Sequence, residues 1–253
     1  MNAIKILAAG MGFFAATLGA GQTLADQTHV AVAANFTGAA KEIAAAFHEK
    51  TGHVAVLSFG STGQLYTQIT QDAPFQILLA ADSVRPKKAI DDDLAVTDSR
   101  FTYAIGKLVL WSKTAGLVKG VETLKGAAFA KLAICNPAAA PYGVAAVEAM
   151  KSLGVFDPLQ EKLVQGADIT QAFQFVYSGN AELGFVALSQ LTGESGGSRW
   201  MVPQDLYTPI RQDAVLLKKG ADSAAAAAFM VFLRGPEARA IIEKYGYAFD
   251  SDS

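Results

Sequence analysis

One cysteine, Cys135, stands among the 253 residues, which excludes an internal disulfide and leaves stability to packing. It lies in the apolar run Lys131-Leu-Ala-Ile-Cys-Asn136, the setting of a small buried hydrophobe rather than a reactive thiol. An excess of one charge is also missing: 21 Lys and Arg against 23 Asp and Glu give a formal net charge of −2. A balanced, unpatterned surface offers no footprint for nucleic acid and does not favour an anionic membrane surface. Histidine is limited to His29, His48 and His53, so a Ser–His or Cys–His dyad has little to draw on. The segment His48-Glu-Lys-Thr-Gly-His53 is one residue longer than the zinc pattern H-E-x-x-H. On a helix its two rings fall on different faces, and Gly52 ends the helix between them, so both read as solvated helix-end side chains. Gly60-Ser61-Thr62-Gly63 does not fit the nucleophile elbow, and no G-x-x-x-x-G-K-[ST] phosphate loop occurs in the sequence. Asp91-Asp92-Asp93 are consecutive; they fan out around a helix and read as a solvated turn rather than a cation site.

Long apolar runs are scarce too. The run from Ile6 to about Leu18 is preceded by Lys5 and followed by Thr23-Leu24-Ala25. It is too short and wrongly flanked for a membrane span, and has the form of a cleavable secretory signal over residues 1–25. No cysteine lies near that cleavage point, so the exported product is expected to be soluble and without a lipid anchor.

What remains alternates short apolar strands with helical patterns, the signature of an α/β fold with mostly parallel sheets. Strands are expected over 30–34, 54–59, 76–80, 101–111 (interrupted by Gly106), 132–135 and 181–188. Helices are expected over 39–49 with Gly52 as its stop, 63–71, within 82–93, over 143–153 and over 169–177. Near the C-terminus, Ser223 caps an Ala-rich helix over 224–233, and Pro236 opens a last helix closed by Gly246. Residues 194–198 form the clear flexible loop. Trp111 and Trp200 read as core residues.

Two strand-to-helix junctions, Ala34-Asn35-Phe36-Thr37-Gly38 and Phe59-Gly60-Ser61-Thr62-Gly63, place small neutral donors at helix starts. There the free backbone N–H groups and the positive end of the dipole favour an anion. Taken singly, such junctions are more often plain caps. The pattern is echoed by Asn136-Pro-Ala-Ala-Ala-Pro-Tyr142-Gly143 and by Asp168-Ile169-Thr170, and none of the four junctions contains Lys or Arg. Two α/β lobes, each aiming two helix starts at a common cleft, would hold an anion by neutral dipoles alone.

These junctions, with Ala73-Pro-Phe-Gln-Ile-Leu-Leu-Ala-Ala-Asp82, Ala181-Glu-Leu-Gly-Phe-Val186, Phe232-Leu-Arg-Gly-Pro-Glu-Ala238 and Lys244-Tyr-Gly246, follow one another in a familiar order. The chain resembles the periplasmic molybdate-binding proteins of ABC importers over residues 29–249. The resemblance implies a type II two-lobe periplasmic binding protein with a hinge, lobe 1 comprising 26–105 with 213–253 and lobe 2 comprising 106–212. It also implies that the oxyanion is held by Asn35, by Ser61 and Thr62, by Tyr142 and by the backbone N–H of Ile169. Some relatives add a tyrosine where this chain has Ala187, and an acid where it has Gln76; Tyr142 is then a substitute donor. The implied protein is a monomer and not an enzyme, carries no cofactor or directly ligated metal, takes molybdate and tungstate, and hands them to a membrane permease. A sulfate or other tetrahedral oxyanion binder, or a secreted hydrolase, is the alternative.

Overall fold

The structure, a computed structural model, describes residues 26–250; the expected signal segment lies outside them. The first sheet opens with β1 (Gln27–Ala33), β2 (Val54–Gly60), β3 (Ile77–Leu79) and β4 (Phe101–Gly106). Between them run α1 (Thr37–Thr51), α2 (Thr62–Thr70) and α3 (Val84–Asp91). The second sheet holds β5 (Leu108–Ser112), β6 (Leu132–Cys135), β7 (Leu163–Gly166), β8 (Leu183–Ala187) and β9 (Ser198–Met201). Its helices are α4 (Val121–Gly126), α5 (Pro141–Ser152), α6 (Phe156–Leu159) and α7 (Ile169–Tyr177). The chain then returns through β10 (Ile210–Leu216) and ends in α8 (Ala224–Arg234) and α9 (Pro236–Lys244).

The two sheets repeat one plan. Their orders are β2-β1-β3-β10-β4 and β7-β6-β8-β5-β9. In each, three strands pair in parallel, and one strand, β10 or β5, runs against both its neighbours. The mostly parallel α/β reading therefore stands, with one reversed strand per sheet. That reversal follows from the crossovers: β4 leaves the first sheet and continues at once as β5 of the second, and β9 of the second leads back into β10 of the first. The stretch 101–111 is accordingly not one interrupted strand. Gly106 marks the place where the chain changes sheets. The Leu108 N–H donates to the Tyr207 hydroxyl at 3.2 Å, which ties one crossover to the other.

Helices cover both faces of each sheet, because strands flanked by parallel neighbours are apolar on both sides. On the first sheet, Phe36, Ile43, Phe47 and Phe229 pack one face and Leu65, Ile69 and Ala89 the other. On the second, the α5 side carries Ala145, Ala149 and Met150, and the α7 side carries Val176 with Trp111 stacked on Phe173 at 5.0 Å. One apolar cluster also joins Ala33, Ala34 and Ala81 of the first unit to Tyr142, Ala145 and Ile169 of the second. Cys135 is buried, and burial pushes its thiol up to about 12.

Local stops and starts sit where the residue types demand. Gly52, at φ +75°, donates its N–H to the His48 carbonyl at 2.8 Å and ends α1. The Ser223 and Asp168 side chains accept N–H bonds from Ala226 and Gln171 at the starts of α8 and α7. Strands β7, β9 and β10 escape the sequence pattern, since β7 and β9 are short and half-exposed. In β10 the polar residues Arg211, Gln212 and Asp213 interrupt any alternation. No helix among the described residues is long and apolar enough to cross a membrane.

Candidate functional site

Four helix starts converge at the boundary between the two sheets. Ala34–Phe36 forms a 3-10 turn at the end of β1, and Ser61 caps α2. Pro141 and Tyr142 open α5, and Asp168 and Ile169 open α7. All follow the carboxyl ends of parallel strands, which point their exposed N–H groups outward from the sheet edge. Asn35, Ser61, Thr62, Tyr142 and Ile169 line one small cavity of about 10 Å³, together with Ala33, Ala34, Ala81, Ala140, Pro141 and Asp168. That room admits only a compact group in contact with its walls. Among the described residues lining it, none is Lys or Arg.

The polarity of the lining is set by which atoms are already engaged. The Ser61 hydroxyl accepts the Gln64 N–H at 3.3 Å, and Gln64 Oε1 accepts the Ser61 N–H at 3.3 Å, a reciprocal cap of α2. The Thr62 hydroxyl accepts the Ala81 N–H at 3.0 Å. The Tyr142 hydroxyl accepts from Gln212 Nε2 at 3.4 Å. Each of these three hydroxyls thus serves as an acceptor toward the protein, and no described residue takes its own proton. Three buried O–H groups are left to donate, the requirement for holding an anion. The Asp168 carboxylate, by contrast, is turned to the Gln171 N–H at 2.9 Å.

Asn35 is braced from behind. Its amide donates one hydrogen to Gln212 Oε1 at 2.9 Å and the other to the Tyr247 hydroxyl at 3.0 Å. Its carbonyl accepts from the Tyr247 hydroxyl and from Ser189 Oγ, both at 2.8 Å. An Asn amide has two hydrogens, so what this turn keeps for a ligand is the backbone N–H. The Ile169 N–H sits at the first position of α7, where no intrahelical acceptor exists. Gln190 ties that turn to β8, donating to the Ile169 carbonyl at 3.1 Å and accepting from the Ala187 N–H at 3.0 Å. Burial pushes the hydroxyls of Tyr142, Tyr103 and Tyr247 above their ordinary values, so all three stay protonated donors at neutral pH.

Direct bonds hold the two units together around this cavity. The Gly63 N–H donates to the Ala139 carbonyl at 2.9 Å. Arg85 reaches the Ala138 carbonyl at 3.4 Å while paired with Asp82 at 2.6 Å. A larger groove of about 280 Å³ adjoins the cavity and shares Ala81 and Pro141 with it. Its guanidinium groups are already occupied, Arg85 by Asp82 and Arg211 by both oxygens of Asp250 at 2.6 Å.

The other residues weighed from sequence lie elsewhere. His48 Nδ1 bonds the His53 carbonyl at 3.1 Å, and His53 Nδ1 accepts the Asp26 N–H at 3.3 Å. Asp91, Asp92 and Asp93 fan out to Lys87, Lys88 and Lys218. Gly193-Glu194-Ser195-Gly196-Gly197 does match the letters of the nucleophile elbow, a match that sequence reasoning missed. It lies in an exposed loop before β9 and lacks the strand–turn–helix that motif needs. Gln212, Tyr103, Tyr247 and Ser189 were missed as well. The one available sign was Arg211-Gln212-Asp213, three polar residues between the apolar Ile210 and Ala214-Val-Leu-Leu217.

Comparison with known proteins gives the family and the fold. The family model described as bacterial extracellular solute-binding protein matches residues 28–248. The chain is 56% identical over 223 residues to the molybdate-binding protein ModA of Rhodobacter capsulatus, covering 88% of each chain. It is 53% identical over 227 residues to ModA of Azotobacter vinelandii, covering 88% of this chain and 90% of that one. A solved structure of the periplasmic molybdate-binding protein of Azotobacter vinelandii superposes with a TM-score of 0.85 at 42% identity. That match covers 88% of this chain and 99% of the other.

Proposed function

We infer, for a chain that belongs to the bacterial extracellular solute-binding family and is of the ModA molybdate-binding type within it, that the cavity captures molybdate for an ABC importer. It is a transport protein of the periplasm and not an enzyme. The observation that carries the ligand reading is the set of three buried hydroxyls, on Ser61, Thr62 and Tyr142, whose oxygens already accept from the protein. With the N–H groups of Asn35 and Ile169 they ring a cavity lined by no cation. A dianion so held is stabilised by donors and dipoles alone, each charge-assisted bond contributing about 1.5–3 kcal/mol, and is released again when the lobes part.

Tungstate, a tetrahedral dianion accepting the same bonds, shares the site, and sulfate is rejected by size. Lobe 1, expected as 26–105 with 213–253, takes in the whole of β10 from Ile210 and so includes Gln212, and lobe 2, expected as 106–212, ends ahead of that strand. The hinge lies at the crossovers beside Gly106 and ahead of β10. Residues 1–25 are removed on export, and the monomer delivers its anion to a membrane permease. Calorimetry with molybdate, tungstate, sulfate and phosphate tests the ligand. Tight binding of the first two is expected, and tight sulfate binding with none of molybdate overturns the reading.

A further inference from the structure

Between the two walls of the cavity lies a side chain that no motif announces. Gln212 is fully buried in β10. The register of β10 against β4 slips between Gln212 and Asp213, and both residues are buried although they are consecutive. A bulge of this kind re-aims a side chain that regular alternation would send elsewhere. The amide so aimed reaches ligand residues on both sides. Its Oε1 accepts from Asn35 Nδ2 at 2.9 Å and from the Tyr103 hydroxyl at 3.1 Å, and its Nε2 donates to the Tyr142 hydroxyl at 3.4 Å. Gly106 makes the room, since a Cβ there would lie 2.1 Å from the Tyr142 hydroxyl and 2.7 Å from Gln212 Nε2. The contact therefore sits on the crossover itself, where β4 gives way to β5.

We propose that Gln212 is a positioning residue for oxyanion binding, coupling Asn35 on one wall of the cavity to Tyr142 on the other. The inference rests on the oxyanion reading of that cavity. A carboxamide suits the task because its acceptor and donor ends share one rigid plane. The acceptor end fixes Asn35 and with it the turn that presents the Asn35 N–H. The donor end occupies the Tyr142 oxygen, so that the phenol keeps its own proton for the anion. When the lobes part, Tyr142 leaves Gln212, and the hydroxyl loses its aim together with its ligand.

The test is a double-mutant cycle on molybdate affinity, read by calorimetry for the wild type, Gln212→Met, Tyr142→Phe and the double variant. Methionine keeps the length and removes both polar ends. The expected result is a loss of about ten- to a hundredfold in Gln212→Met, with the double variant within about threefold of the weaker single one. A glutamine that only supports the fold would lower the unfolding midpoint of the ligand-free protein, and its loss would multiply with that of Tyr142→Phe. Multiplying losses, or wild-type affinity in Gln212→Met, overturn the proposal. If Gln212→Met does not fold, Tyr103→Phe, which removes the hydroxyl sharing Gln212 Oε1, takes its place in the same cycle: non-multiplying losses support the coupling, and multiplying losses or wild-type affinity overturn it. A wild-type protein that binds no oxyanion overturns the ligand reading on which the proposal rests. A wild type that binds, with losses that multiply, overturns the role of Gln212 alone.

Discussion

Ser61→Ala removes one oxygen that serves two purposes, and the two can be measured apart. As a cap, Ser61 Oγ accepts the Gln64 N–H at 3.3 Å; losing a cap of this kind costs about 0.5–2 kcal/mol of stability. The bond is long and Gln64 keeps its reciprocal contact, which places the expected cost toward the lower end. As a donor, the same hydroxyl belongs to a residue only 2% exposed, and losing it leaves one charged oxygen of the ligand without a partner, about 1.5–3 kcal/mol. The cap exists with and without ligand, so its loss cancels in affinity and appears only in the unfolding of the ligand-free protein. The donor acts only with ligand, so its loss appears only in affinity, as about ten- to a hundredfold weaker binding. Urea unfolding of the ligand-free variant and calorimetric titration with molybdate separate the two. A variant that is less stable yet binds molybdate as tightly as the wild type would falsify the donor role and leave Ser61 a helix cap.

Two further outcomes follow from geometry. Gly63→Ala should stabilise the ligand-free protein slightly, since alanine is favoured over glycine inside a helix by about 1 kcal/mol. It should nevertheless weaken molybdate binding, because the new Cβ would lie 2.9 Å from the Ala139 carbonyl oxygen and 3.0 Å from its Cα. Small-angle scattering with saturating molybdate should then give a larger radius for the variant than for the wild type, and equal radii count against this account. Glu182 accepts the N–H groups of Ala130 and Lys131, each at 2.9 Å, and the Ala130 bond leads the effects that hold its carboxyl below the ordinary value of 4.5. Its folded value being the lower one, its stabilisation is present above that ordinary value and is lost as pH falls through the folded one. Glu182→Gln should therefore be less stable than the wild type at pH 7, with the gap closing on acidification; a gap independent of pH refutes the assignment.

How far the sequence could be read depended on the range of the interactions involved. Helix starts and stops are local chemistry, so Gly52, Ser61, Asp168, Ser223 and Pro236 are recognisable from their neighbours alone. The four junctions were visible for the same reason, and so was the absence of cations among them. Strands such as β10 were not, because its central residues are polar and buried by partners more than a hundred positions away: Gln212 by Tyr103, Asp213 by Thr102 and Arg100.

Residue order alone thus established an α/β chain with four anion-favouring helix starts, since both period and capping are set within a few residues. Whether those starts lie apart or line one cavity was a matter of tertiary placement. The chain changes sheets at Gly106 and returns at β10, and only that path brings Asn35, Ser61 and Thr62 against Tyr142 and Ile169. Placement also decided which atoms of those residues are free. A hydroxyl's proton becomes available only once a distant N–H, such as that of Ala81 or the amide of Gln212, has taken its lone pair.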